Sequence, residues 1–375
     1  MKCRSWFFAT LLFGALAPVP PADAEMVFGR GYPDRPLLGP SVARGAIIFN
    51  HGRAARSEPN AELPFYLDKL RDSGWDIFKL VRPWEDEGGD ASVLALEEKA
   101  RLLRAQGYHR IVSAGQSFGA WISFIVGTHA GVIDGIVAMA PARYGDWQMD
   151  ANRYQRNAQI VSVADGVEGI AVMVFFFAKD DFDPGGRGDA MTRVLAAKQI
   201  PYVVIDRPDG FEGHGSANGT AFASRFAKCI VDFLNNAEPP GPVACRPSQP
   251  STADIFARFP TAAQGSSKLA PVPSAFQGHW YGWYQNGGRE VLLTVDGVSA
   301  TGEAEGSYAV GPVHHNETAR ASRFQGSIGN GALKFVTASS KATVESRVRP
   351  DGQMDLDWTS ADRRTVLKTM VRKLD

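Results

Sequence analysis

The apolar positions follow two different patterns along the chain. From about residue 45 to 236, apolar runs of strand length alternate with segments whose apolar residues recur at helical spacing. Continuous apolar runs such as 133–139 and 170–177 are typical of parallel strands that are buried on both faces. This alternation predicts an α/β domain on a mostly parallel sheet.

From Gly278 onward the pattern changes to short alternating runs. Turn sequences such as Asp296-Gly297 and Asp351-Gly352 separate these runs. Seven or eight short strands within roughly 100 residues indicate a small all-β domain, either an antiparallel barrel or a sandwich.

A proline-rich segment joins the two patterns, and a short helix is expected within it at 252–259. We therefore predict four parts. They are a signal peptide at 1–24, an α/β domain at 25–236, a Pro-rich linker at 237–276 and an antiparallel β domain at 277–375.

The N-terminal residues have the order of a secretory signal. Lys2 and Arg4 precede an apolar run at 6–17, and the small-residue site Ala22-Asp23-Ala24 follows. The apolar run is shorter than the ~20 residues of a spanning helix, which argues against a membrane anchor. We expect cleavage after Ala24 and a secreted or periplasmic protein.

Composition and charge narrow the function classes. Forty basic residues balance forty acidic residues in the 375-residue chain, so no net field attracts nucleic acid or an anionic membrane. We expect no nucleic-acid partner and no stable membrane insertion after signal cleavage.

Export changes how the cysteines are interpreted. Cys3 leaves with the signal peptide, and the mature chain keeps Cys229 and Cys245. An even pair in an oxidising compartment is a candidate disulfide. It would close a loop of about 15 residues and stabilise the fold by ~3 kcal/mol.

The strongest chemical motif is Gly115-Gln116-Ser117-Phe118-Gly119, a G-x-S-x-G sequence. It follows a predicted strand and precedes a predicted helix, which is the context of a nucleophilic serine on a tight turn. The N–H groups at the start of that helix would face the reacting carbonyl.

Three further segments support this interpretation. Asn50-His51-Gly52-Arg53 follows a strand, and the backbone amides of Arg53 and Phe118 could together hold an oxyanion, with His51 itself structural. The loop 178–184 follows another strand and offers Asp180, Asp181 and Asp183 as the acid. His214, between two glycines, follows the next strand and could serve as the base.

The order Ser117, Asp, His214 is that of the α/β-hydrolases. Residues 45–236 resemble this superfamily, and the compact core is most similar to the dienelactone-hydrolase-like branch and small bacterial serine esterases. The resemblance implies Asp181 as the acid, three residues after Ala178, with Asp183 as the fallback. The dienelactone hydrolases carry a cysteine where this chain has Ser117.

These features predict an exported serine hydrolase, a carboxylesterase that forms an acyl-enzyme through Ser117, His214 and Asp181. We expect an acyl-ester or other small-molecule substrate, and no metal or cofactor. Peptidase or amidase activity stays open. The alternative is an inactive scaffold whose β domain binds a glycan or lipid, for example at the aromatic stretch 278–284.

Overall fold

The computed structural model describes residues 26–53, 62–82, 89–144, 151–236, 239–259, 269, 272–284 and 288–374. The predicted signal peptide lies outside the described residues. Among the helices that are described, none is long and apolar enough to cross a membrane.

The first part of the chain forms an eight-stranded sheet in the order β1-β3-β2-β4-β5-β6-β7-β8. Only β1 is antiparallel, and it pairs with β3. The strands are β1 (Val27–Arg30), β2 (Gly45–Asn50), β3 (Trp75–Val81), β4 (Ile111–Gln116), β5 (Gly135–Met139), β6 (Ala171–Phe176), β7 (Pro201–Asp206) and β8 (Gly241–Pro242).

Helices cover both faces of this sheet, and two separate apolar clusters lie between them and the strands. Strands β2 and β3 are buried at every position, as expected for central strands that are covered on both faces, and the polar side chains Asp76 and Lys79 of β3 are buried with them. The helices are α1 (Tyr66–Asp72), α2 (Asp90–Ala105), α3 (Phe118–Gly127), α4 (Arg153–Asn157), α5 (Ile160–Ala164), α6 (Gly188–Ala197), α7 (Thr220–Asn235) and α8 (Thr252–Arg258).

The last hundred residues form a closed barrel of antiparallel strands. Alternate residues point inward and fill the interior, as the period-2 pattern requires. The strands are β9 (Gly278–Trp283), β10 (Glu290–Val298), β11 (Glu303–Val310), β12 (Arg320–Gly329), β13 (Ala332–Val336), β14 (Thr343–Val348), β15 (Met354–Thr359) and β16 (Val366–Lys373).

The segment between sheet and barrel is fixed at both ends. Cys229 on α7 and Cys245 form a disulfide with a Cα–Cα distance of 5.4 Å. Helix α8 packs its Ile255 against the outer face of the barrel. The Arg258 guanidinium on this helix pairs with the buried Glu290 carboxylate at 2.7 Å. The expected short helix is thus present, and it is docked on the barrel.

The predicted fold class is confirmed in both parts. The first part is a parallel-rich sheet with helices, and the second is a barrel rather than a sandwich. Among the described residues, a single short strand, β1, precedes β2 in this sheet. The disulfide predicted from the cysteine pair is also present.

Candidate active site

Ser117 lies on a sharp turn between β4 and α3. Its φ of 55° is in the left-handed region, which is unusual for a residue other than glycine. The backbone N–H of Ser117 donates to the Met139 carbonyl at 2.9 Å, which fixes the turn to the neighbouring strand. A left-handed residue between a strand and a helix is the geometry that the predicted G-x-S-x-G turn, the Ser117 elbow, requires.

The two glycines of the motif are required by close backbone contacts. A Cβ on Gly115 would lie 2.4 Å from the backbone N of Ala120. A Cβ on Gly119 would lie 2.0 Å from the carbonyl oxygen of Asn50. A side chain at Gly115 would therefore push α3 away from β4, and one at Gly119 would push α3 away from the end of β2, so the elbow needs glycine on both sides of the serine.

The turn that follows β2 lies directly against Ser117. A Cβ on Gly52 would be 3.0 Å from the Cβ of Ser117 and 2.4 Å from Oε1 of Gln116. The Arg53 guanidinium carbon lies 4.6 Å from the centroid of the Phe118 ring. The structure thus brings together the two segments whose amides were predicted to hold an oxyanion. Phe118 begins α3, where helix N–H groups have no intrahelical acceptor.

His214 lies beside the elbow and is bound by a buried carboxylate. Gln116 Nε2 donates to the His214 carbonyl oxygen at 3.1 Å. The Nδ1 of His214 lies 2.9 and 2.8 Å from the two carboxylate oxygens of Asp180, whose side chain is fully buried. Because a carboxylate only accepts hydrogen bonds, Nδ1 carries the proton and donates it.

The other ring nitrogen of His214 is available for chemistry. Nε2 is buried and has no hydrogen-bond partner among the described residues. With the proton held on Nδ1, Nε2 has a free lone pair, which is the state a general base requires. The Phe182 ring contacts the imidazole at a centroid distance of 4.3 Å and an interplanar angle of 42°.

The structure pairs His214 with Asp180 rather than with the predicted Asp181. The Asp181 side chain is exposed, and its backbone carbonyl accepts a bond from Arg153 Nε at 2.6 Å. Lys179 has a φ of 53°, and this left-handed residue turns the chain so that Asp180 faces inward. The Phe182 N–H then donates to Asp180 Oδ1 at 2.8 Å and holds the carboxylate in place.

Asp183, the fallback acid, pairs with groups other than His214. Its carboxylate forms an ion pair with Arg187 and accepts from the Gly185 N–H at 3.2 Å. Burial raises the pKa of Asp183 to about 6, against the opposing effect of the Arg187 charge. Asp183 therefore holds the loop after β6 to the start of α6, and its carboxylate bonds to Gly185 and Arg187 rather than to His214.

His51 uses both ring nitrogens in the turn after β2. Nδ1 lies 2.6 Å from the Gly52 carbonyl oxygen, and Nε2 accepts from the Arg82 N–H at 3.0 Å. Burial, together with the nearby Arg82 charge, lowers the pKa of His51 to about 4. The neutral ring thus stabilises the turn, which agrees with the structural role predicted for His51.

We expect this lowered pKa to make stability depend on pH. The unfolded chain binds a proton at His51 below its ordinary pKa of about 6.5, whereas the folded chain does so only near 4. Stability from this group is therefore complete above pH 6.5 and is lost as the pH falls towards 4. In His51→Gln the amide can replace both bonds. Between pH 7 and 4.5, the melting temperature of this variant should fall less than that of wild type. Equal losses in the two proteins would contradict this assignment.

The described residues contain no group of three or more His, Cys, Asp or Glu side chains arranged to hold a metal ion. The adjacent His314 and His315 instead contact acidic side chains of the first part of the chain, Glu62 and Asp68 respectively. These contacts join the loop between β11 and β12 to the region of α1.

No family model matches this chain, and no curated protein matches it significantly. Similar solved structures cover about half of the chain. An esterase from Pyrococcus furiosus is 14% identical over 51% of this chain and 82% of its own, with a TM-score of 0.40.

Two other similar structures are hydrolases by name. A monoacylglycerol lipase from Paleococcus ferrophilus is 12% identical over 56% of this chain and 98% of its own, with a TM-score of 0.39. An acetyl ester-xyloside bifunctional hydrolase from Caldicellulosiruptor lactoaceticus is 17% identical over 54% of this chain and 82% of its own, with a TM-score of 0.38.

Proposed function

We propose that this protein is an exported serine hydrolase that cleaves carboxylic esters. One observation carries the proposal: beside the Ser117 elbow, a buried Asp180 holds Nδ1 of His214 and leaves Nε2 unpartnered among the described residues. Within the resemblance stated above, we place the protein among the serine-dependent members of the dienelactone-hydrolase-like branch.

The first chemical step is attack by Ser117 on the ester carbonyl carbon. Its Oγ forms the new C–O bond while its proton moves to Nε2 of His214. Asp180 keeps the imidazole in the required tautomer and stabilises the positive charge that it gains. The substrate carbonyl oxygen becomes an oxyanion, and we assign the backbone amides of Arg53 and Phe118 as the groups that donate to it.

The second step completes turnover. The tetrahedral intermediate collapses, the C–O bond to the alcohol breaks, and His214 returns the proton to the departing oxygen. Water, activated by the same Nε2, then hydrolyses the acyl-Ser117 ester and releases the carboxylic acid. This sequence requires only side chains and backbone groups of this chain.

Export is part of the proposal. The N-terminal residues have the order of a cleavable signal peptide. The Cys229–Cys245 bond suits an oxidising compartment, because structural disulfides are rare where thiols are kept reduced. We therefore place the mature protein in the periplasm or outside the cell.

Labelling by a fluorophosphonate tests the hydrolase proposal, because this probe reacts with activated serines. The mature protein should carry one adduct at Ser117 by peptide mass spectrometry, and Ser117→Ala should carry none. Matched ester and amide substrates with the same acyl group then separate esterase from amidase activity. Folded wild-type protein that stays unlabelled would overturn the proposal.

The barrel supports a second, binding function. A cavity of about 580 Å³ opens at one end of the barrel, within the size range of small-molecule sites. Trp358 and Leu367 line its wall, and Arg320 lies at the rim. The hydroxyls of Tyr284 and Tyr308, which also line it, are 2.7 Å apart. Of the two predicted ligand classes, we propose a lipid-like molecule with an apolar body and an acidic group that faces Arg320.

Titration with dodecanoate, followed by tryptophan fluorescence, tests this binding function. Leu367→Asp places a charge on the cavity wall and should weaken binding at least tenfold. Val336→Asp places the same charge on the exposed outer surface of β13 and should leave binding unchanged. Equal affinity in both variants, or no saturable binding by wild type, would contradict the proposal.

A further inference from the structure

One aromatic side chain of the barrel packs into the first part of the chain instead of the barrel interior. Trp283, at the end of β9, packs against the apolar cluster between the parallel sheet, α1 and α7. Its indole Nε1 donates to the Gly210 carbonyl oxygen at 2.7 Å. Its ring stacks on Phe211 at a centroid distance of 5.4 Å and an interplanar angle of 20°.

Both contacts fall on the loop that carries His214. Gly210 and Phe211 lie four and three residues before the histidine. Gly210 has a φ of +82°, and a Cβ there would lie 3.1 Å from the Trp283 ring, so both backbone and packing require glycine. Phe211 is fully buried, and its other face packs against the rings of Phe222 and Phe226 on α7.

The same loop is bonded to the turn that carries Asp180. Glu212 forms an isolated parallel bridge with Ala178, and the Gly213 N–H donates to the Ala178 carbonyl at 2.8 Å. The backbone from Gly210 to His214 is therefore fixed at one end by Trp283 and in its middle by the strand end that leads to Asp180.

The barrel also approaches the loop on the C-terminal side of His214. The hairpin between β9 and β10 approaches the loop at Ser216, where a Cβ on Gly288 would lie 3.3 Å from the Ser216 carbonyl oxygen. Trp283 itself is held in the barrel, because its carbonyl accepts a bond from the Thr369 hydroxyl. The loop that carries His214, the histidine loop, therefore contacts this hairpin both before the histidine, through Trp283, and after it, through Gly288.

We propose that Trp283 is a positioning residue for His214, so that the barrel completes the active site of the hydrolase. This inference rests on the proposed function. A general base must stay within a few tenths of an ångström of its productive position, and a displacement of about 1 Å can cost ~10²-fold in rate. Trp283 does not contact the reacting atoms, and it acts by fixing the backbone that leads to Nε2.

Two substitutions at Trp283 separate its two contacts. Trp283→Phe keeps a stacked ring but removes the bond to Gly210, and we expect kcat to fall about tenfold. Trp283→Ala removes both contacts, and we expect a fall of about 100-fold with little change in KM. The rate of fluorophosphonate labelling at Ser117 should fall in parallel.

Trp280→Phe is the matched control. Trp280 lies inside the barrel, where its Nε1 donates to the Phe276 carbonyl at 2.7 Å. The control therefore loses an equivalent buried bond of the same barrel, but one that is remote from the histidine loop. It should keep kcat and the labelling rate, even where its melting temperature falls as far as that of Trp283→Phe.

A spectroscopic signal distinguishes positioning from stability. The Nδ1 proton of His214, bonded to Asp180, should give a downfield proton resonance in wild type and Trp280→Phe. In Trp283→Phe this resonance should broaden or shift, and the histidine limb of the kcat/KM pH profile should move with it. All measurements are made well below the melting temperature of each variant.

Two outcomes would overturn the inference. One is a folded Trp283→Phe variant with wild-type kcat, labelling rate and resonance. The other is an equal loss in Trp280→Phe. If wild type itself is not labelled, the hydrolase proposal fails instead, and the resonance still reports whether Trp283 positions His214.

Discussion

Asp180→Asn should lower kcat/KM by about 10⁴, the size of effect seen when a triad acid becomes an amide. The amide can donate to Nδ1 of His214, which favours the tautomer with the proton on Nε2. Nε2 then has no lone pair for the Ser117 proton, although the fold and the surroundings of Ser117 stay in place. Steady-state rates on an activated acyl ester measure the loss, and circular dichroism confirms that the variant is folded.

Asp181→Asn is the matched control, one residue away on the same turn. Its side chain is exposed, so we expect rates within about twofold of wild type. Asp183→Asn removes the partner of Arg187 and should reduce stability more than rate, because this carboxylate holds the loop to α6. If Asp181→Asn instead loses most of its rate and Asp180→Asn stays active, the acid is Asp181, as the family resemblance implied.

The difference between Asp180 and Asp181 shows what the sequence could not specify. The alternation of apolar runs predicted the sheet, and the predicted strand end at 177 left three acidic residues in the following loop as candidates for the partner of His214. Which of them turns inward depends on the backbone of one residue, Lys179, whose φ is 53°. Lysine has no strong preference for that conformation, so the sequence carried no signal for it.

The aromatic stretch 278–284 shows a second limit. Its period-2 alternation already separates Trp280 and Tyr284, which face the barrel interior, from Tyr281 and Trp283 on the outer face. The pattern cannot say what covers an outward side chain, since that depends on residues far away in the sequence. The contact of Trp283 with Gly210 joins positions 73 residues apart.

The glycines of the elbow, in contrast, were predictable from local physics. A G-x-S-x-G sequence between strand and helix requires close backbone approach, and the structure shows what each glycine meets. The approach of Gly119 to Asn50 also explains why the turn after β2 lies beside Ser117. Phe118 of α3 and Arg53 of this turn supply the two proposed oxyanion donors.

Gly119→Ala should therefore damage both stability and catalysis. The new methyl group would lie 2.0 Å from the Asn50 carbonyl oxygen and 2.7 Å from that of His51, and neither backbone group can rotate away. Overpacking of this kind costs about 1–3 kcal/mol or more, because the start of α3 must shift. The shift moves the Phe118 N–H from its oxyanion position, and the loss of one such donor costs about 10²–10³ in kcat.

Gly29→Ala is the matched control for Gly119→Ala. Gly29 lies on β1 at the edge of the sheet, and a Cβ there has no heavy atom within 4 Å. Urea unfolding and kcat of this variant should match wild type, while Gly119→Ala shows a lower midpoint and a slower rate. A Gly119→Ala protein with normal rate and midpoint would mean that α3 can move without disturbing the oxyanion donors. The close contact between Gly119 and Asn50 would then control neither the stability nor the rate.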